Sequence, residues 1–332
     1  MKLSLPATVV VVEVLLLLTT AAAASCSNGT CRVMDDCSTD KDCGAGLYCY
    51  SCEAGFPGSR CNGVRALMLD TYDYEGEIWL CHYFGGKCRD YTAFGPAVET
   101  LKEIEKFLRE NPSEIVTLFL QDYVETPNGL SKVFRAAGLM NYWFPVSKMP
   151  KNGQNWPIVR DMVVRNQRLL VFTSVESKEK SEGIAYQWNY VVENIYGDDG
   201  MIPRICANRQ ESSPLNDKTK SLVLVNYFGS LPSKKIACVH NSEDLLNMLQ
   251  TCHHAAGQRW PNFVAVDFYK RSEGGGTFQA VDTLNGELLC WRKDVHQCGA
   301  KPGGDLEEEL LPPDYDDLTK DINFKFLNKI LA

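Results

Sequence analysis

From residue 64 onward, short apolar runs alternate with stretches in which apolar residues recur at helical spacing. Residues 64–70 (VRALMLD) and 78–82 (IWLCH) are two such runs, one closing on an acid and the other on a histidine. Val98, Leu101, Ile104, Phe107 and Leu108 share one helical face, which predicts a helix over 93–109 that stops before Asn111-Pro112. The run 114–120 (EIVTLFL) predicts a buried strand ending at Gln121-Asp122, and 168–173, 222–227 and 262–268 (NFVAVDF) predict three more. Helices are expected over 130–137, over 242–252 with Ser242 as N-cap, and over 276–289. Strands separated by helices across most of the chain predict a parallel α/β fold, with a (β/α) barrel as its natural closed form. No internal repeat is visible.

Parallel sheets present their chemistry at the carboxyl ends of the strands. If both early runs are parallel strands, Arg65, Asp70, Asp73 and His82 converge at one rim, beside Gly85-Gly86, where a loop can approach a ligand closely. Asp267 closes 262–268 much as Asp70 closes 64–70 and invites the same reading; a turn cap is the alternative. The chain has five histidines, none of them before His82. His253-His254 looks like a metal motif, but neighbours on a helix diverge in direction and no further ligand stands at helical spacing, so surface histidines are expected there.

Composition narrows the setting. A net charge of -8 and a pI near 5.3 argue against a nucleic-acid binder, which needs excess Lys and Arg. Residues 1–24 have the charged start, apolar core and small-residue end of a secretory signal. The 14 cysteines suit the oxidising compartment such a signal implies. Seven of them crowd residues 25–61, which read as a disulfide-stapled module, and Asn28 opens a glycosylation sequon. Cys81 with Cys88, and Cys290 with Cys298, are close enough in sequence to staple local loops. Residues 62–300 form the main domain, and 301–332, rich in Pro, Gly and acid, read as a largely disordered tail.

Four stretches carry a resemblance: NGVRALMLDTYDYEGEIWLCHYFGGKC, TAFGPAVETLKEI, NPSEIVTLFLQDY and PNFVAVDFYKR. Together they resemble plant secreted proteins with a phosphatidylinositol-specific phospholipase C X-type domain, of the PLC-like phosphodiesterase superfamily. The resemblance implies a TIM-like barrel that cleaves phosphodiesters without metal or cofactor, using two histidines as general base and acid and an Arg in place of calcium. By this resemblance His82 matches the general acid, Arg65 the phosphate clamp and Asp267 the Asp that orients the first His, with Asp70 a partner for Arg65 or His82. Gln121, Asn194 and Tyr196 fall where the bacterial enzymes grip substrate, and Ser174 where they place an Arg.

In such relatives a strand and a Thr-His-Asn motif precede the NGVR motif. Here Cys61 runs directly into Asn62, so the first catalytic His and the first barrel strand are expected to be missing. Two readings follow: a secreted monomeric phosphoric diester hydrolase acting peripherally at a membrane on lipids such as phosphatidylinositol, or an inactive variant that at most binds a headgroup or a partner.

Overall fold

The computed structural model describes residues 28–31, 37–44, 48–50, 60–62, 64–83, 86–269, 276–292 and 329–331. The signal sequence, Cys298 and residues 301–328 lie outside these. In the N-terminal module β1 (Tyr48–Tyr50) and β2 (Arg60–Asn62) pair antiparallel, and Cys37 is disulfide-bonded to Cys49.

The main sheet contains β3 (Ala66–Tyr74), β4 (Glu77–Cys81), β5 (Ala93–Pro96), β6 (Val116–Tyr123), β7 (Leu169–Thr173), β8 (Ala185–Tyr186), β9 (Val191–Glu193), β10 (Leu222–Asn226), β11 (Phe263–Ala265) and β12 (Lys329–Leu331). Its order is β8-β7-β6-β3-β12-β11-β10-β9, parallel throughout, with β4 and β5 added antiparallel beside β3. The helices are α1 (Ala97–Glu110), α2 (Gly129–Ala136), α3 (Val159–Val164), α4 (Ser177–Ser181), α5 (Lys234–His240), α6 (Glu243–Ala255) and α7 (Gly276–Cys290). None of the described helices is long and apolar enough to cross a membrane.

A parallel sheet must be covered on both faces, and strand side chains alternate between them. Leu118, Leu120, Leu169 and Val171 face α1 and α2, joining Leu101, Ile104, Leu108, Leu130 and Phe134. Each of these leucines contributes about 1.5–3 kcal/mol by leaving water. Val223, Val225, Val264 and Val266 face α6 and α7 in a second outer cluster. The alternate residues Ala66, Phe119, Leu170, Phe172, Val191, Leu222, Leu224, Phe263 and Ala265 form one inner cluster. The sheet therefore curls on itself: Phe119 of β6 meets Phe263 of β11 at 5.0 Å between ring centroids. Its ladder does not pair β8 with β9 among the described residues, so the fold shown is α/β with a parallel-dominated sheet.

Several boundaries differ from expectation for local reasons. The helix expected from residue 93 begins at Ala97, because Ala93–Pro96 pairs with β4 as a strand. Ser242 stands at the N-cap of α6, but its hydroxyl donates back to the Cys238 carbonyl at 2.7 Å and caps nothing. The end of α1 is closed by Arg168, whose guanidinium donates to the carbonyls of Leu108, Asn111 and Glu114. The expected disordered tail does not extend to Lys329–Leu331. These residues lie between β11 and β3, the seat that a strand preceding β3 takes in a (β/α) barrel.

Candidate functional site

The first elements of the site come from one hairpin. Glu75 and Gly76 both have positive φ, 48° and 81°, and turn β3 into β4 in the two-residue manner that matches strand twist. The register that results sets Thr71 opposite Leu80. Asp70 and His82 thereby come together, and His82 Nδ1 lies 2.9 Å from Asp70 Oδ2. The loop carrying His82 is pinned by the Cys81–Cys88 disulfide, by the Tyr72 hydroxyl donating to the Tyr83 carbonyl at 3.1 Å, and by the His82 amide donating to the Thr92 carbonyl. His82 itself is exposed, whereas Asp70 is largely buried. Burial raises the Asp70 carboxyl above its ordinary value, with His82 pulling the other way.

The inward positions of the other strands end the same way. Beyond the apolar inner cluster the alternation reaches Asp70, Gln121, Ser174, Glu193, Asn226 and Asp267, a polar layer at the carboxyl ends of six strands. Asp70 and Gln121 are register partners on β3 and β6.

Arg209 enters this layer from the long connection between β9 and β10. Its guanidinium donates to Glu193 Oε1 at 3.1 Å, Glu211 Oε2 at 3.1 Å and Gln121 Oε1 at 3.2 Å, between the rings of Trp188 and Tyr196. Burial works against its charge, but Glu193 and Glu211 outweigh that and hold its pKa above the ordinary value. Glu193 is fully buried, and its carboxylate also accepts from Gln187, Trp188 and Asn226. Asp267 is half-buried at the end of the β11 segment. Burial raises its carboxyl and the charge of His82 opposes, so the two lie in each other's field.

The sequence-predicted residues divide accordingly. Asp70, His82, Gln121 and Asp267 are at the carboxyl rim. Tyr196 is there too, as a cover for Arg209. Asn194 is fully buried and consumed: its side chain exchanges hydrogen bonds with the Asn226 backbone at 2.6 and 3.0 Å.

Arg65 is not brought to the site. It precedes β3, where its Nε donates to Glu114 at 2.5 Å and its guanidinium stacks over Phe107. Five residue steps along the strand, about 16 Å, separate it from Asp70. A residue at the start of a parallel strand cannot reach the rim where the strand ends, which corrects its reading as a phosphate clamp. Asp73 also leaves the group, accepting the amides of Glu125 and Thr126. The cation that sequence reasoning missed is Arg209, which sits in a connection with no periodicity. Asn226 falls inside the predicted run 222–227, whereas Glu193 closes β9, which is too short for a period to register.

His253 is half-buried against Trp260, its pKa lowered by burial and by His254, while His254 is exposed. Among the described residues no three His, Cys, Asp or Glu side chains are grouped to hold a metal ion. Asn28 is exposed in a turn.

Fold and site together define an α/β protein with an Asp–His pair and a buried Arg at the carboxyl ends of its strands. The profile of the PI-PLC X 1 family matches residues 60–285. The PI-PLC X domain-containing protein At5g67130 of Arabidopsis thaliana is 44% identical over 337 residues, covering 84% of this chain and 79% of that protein. An uncharacterized secreted protein of Arthroderma benhamiae is 24% identical over 249 residues, covering 68% of this chain and 54% of that one. The chain belongs to the PI-PLC X domain family.

Proposed function

We propose that this protein is a secreted phosphoric diester hydrolase of the phospholipase C-like type, built on a PLC-like barrel and working without metal or cofactor on phosphodiester lipids at a membrane surface. The observation that carries this reading is the Asp70–His82 pair at the carboxyl rim, within the field of Asp267. In this account Asp70 accepts from His82 Nδ1 and holds the imidazolium, which leaves Nε2–H to act as general acid. An oxygen nucleophile, either a headgroup hydroxyl or water, bonds to phosphorus as the bond to the glycerol oxygen breaks. His82 delivers its proton to the departing oxygen, and Asp267 takes the proton of the nucleophile. Burial suits Asp267 to that task, since a raised carboxyl is a stronger base. Arg209 supplies positive potential to the rim.

The sequon at Asn28 and the disulfides agree with secretion into an oxidising compartment. A second reading, a headgroup-binding protein without catalysis, is favoured by one observation: no histidine precedes His82. Headgroup release from lipid vesicles in the presence of chelator decides between them. Release supports the hydrolase; binding without release supports the second reading.

A further inference from the structure

Large apolar side chains left in water gather in two segments. Tyr196, Ile202 and Ile205 are exposed in the chain that leaves β9, and Leu231, Ile236 and Val239 in the chain that leaves β10 and forms α5. Leu231 is 80% exposed, and Ile236 and Val239 stand one turn apart on α5, whose buried position is Ala237. Exposed apolar side chains that cluster in this way mark a surface that meets a partner.

The two segments are tied into one face. The Asp198 amide donates to Ser230 Oγ at 3.1 Å, the Ser230 amide donates to Asp198 Oδ1 at 3.0 Å, and the rings of Tyr196 and Phe228 stack at 6.5 Å. Both segments spring from the carboxyl ends of their strands, the rim that carries Asp70 and His82. Tyr196 lies over Arg209 at 4.8 Å, and Arg209 donates to Gln121, the register partner of Asp70. The face therefore borders the polar layer of the site.

Its charge departs from that of the chain. Against a net charge of -8, these segments carry exposed Arg204, Lys234 and Lys235, with Asp198 and Asp199 as their acids, and Asp198 is engaged by the Ser230 amide. Basic side chains set among exposed aliphatic ones suit an anionic bilayer: the apolar groups enter the acyl boundary while the long cationic stems keep their charges at the level of the lipid phosphates.

We propose that these two segments form a docking face for an anionic lipid bilayer. The proposal rests on the hydrolase reading for what docking serves, delivery of a lipid phosphodiester to the rim, but docking is measured without cleavage.

The test is co-sedimentation of the full secreted protein with vesicles of phosphatidylcholine alone and of phosphatidylcholine mixed with phosphatidylserine. The parent should bind the mixed vesicles at least about fivefold more tightly. Lys234→Glu/Lys235→Glu and Leu231→Ser/Ile236→Ser should each weaken that binding at least about tenfold, with melting curves close to the parent's. Val164 is 79% exposed but ends α3 just before β7 begins, at the opposite rim, so Val164→Ser should bind as the parent does. Binding to neither vesicle, binding indifferent to both double variants, or an equal loss in Val164→Ser overturns the proposal. Headgroup release separates it from the hydrolase reading. Release from vesicles at the parent's rate by both double variants overturns the docking face and leaves the hydrolase standing. Vesicle binding with the stated variant dependence, but without release, supports the docking face and removes the hydrolase.

Discussion

His82 Nδ1 stands 2.9 Å from Asp70 Oδ2 because a two-residue turn at Glu75 and Gly76 folds β4 back along β3 in a fixed register. The contact orients an exposed imidazole with a largely buried carboxylate. Replacing Asp70 by Asn should keep the hairpin but slow headgroup release by at least about tenfold, because the imidazolium loses its partner. The rate of release from vesicles checks this.

The same carboxyl has a signature in stability. Unfolded, Asp70 ionises at its ordinary value of 3.8; folded, burial raises it. Between these two values the folded state holds a proton that the unfolded chain has released, so the stability that protonation provides is fully present below 3.8 and is lost as pH rises through the folded value. Asp70→Asn does not titrate. Its melting temperature should therefore gain on the parent's as pH rises from 3.8 through the folded value, and thermal melts from acid towards neutral pH measure it.

Lys178 is buried with Asp122 at 2.8 Å, and Thr173 donates to the other carboxylate oxygen. Lys178→Met leaves Asp122 buried without its cation. The expected loss is about 3–5 kcal/mol in urea unfolding, and much of it should return in the Lys178→Met/Asp122→Leu double variant.

How much of this was readable from the chain depends on the signal each residue carries. The parallel strands β3, β6, β7, β10 and β11 were legible because their apolar runs are long and bounded. β8, β9 and α3 were not, being too short for a period to register. His82, Asp70 and Asp267 were found because they close such runs. Arg65 misled because sequence proximity to Asp70 hides the rise of a strand: Arg65 precedes β3, and Asp70 is its fifth residue. Arg209 lies far in sequence from Asp70, His82, Gln121 and Asp267, and only the folded β9–β10 connection delivers it to the rim.

The Cys81–Cys88 disulfide closes the loop that carries His82. Replacing both cysteines by Ser should cost about 2–3 kcal/mol by the loop-closure argument and lower the rate of headgroup release while the sheet still forms. Far-UV circular dichroism together with the release assay separates these effects.

β12 joins β11 to β3 through backbone pairing on both sides. Removing residues 301–332 exposes the facing edges of two buried parallel strands, which sheets tolerate poorly. The shortened protein should melt at lower temperature and self-associate; scanning calorimetry with light scattering checks both.

The central claim is that His82 delivers the proton to the leaving oxygen. Its most direct test is headgroup release from phospholipid vesicles in chelator, comparing the parent with His82→Ala at equal folded concentration. The account predicts release by the parent and a loss of at least about 100-fold in the variant. Equal rates in the two proteins would contradict it.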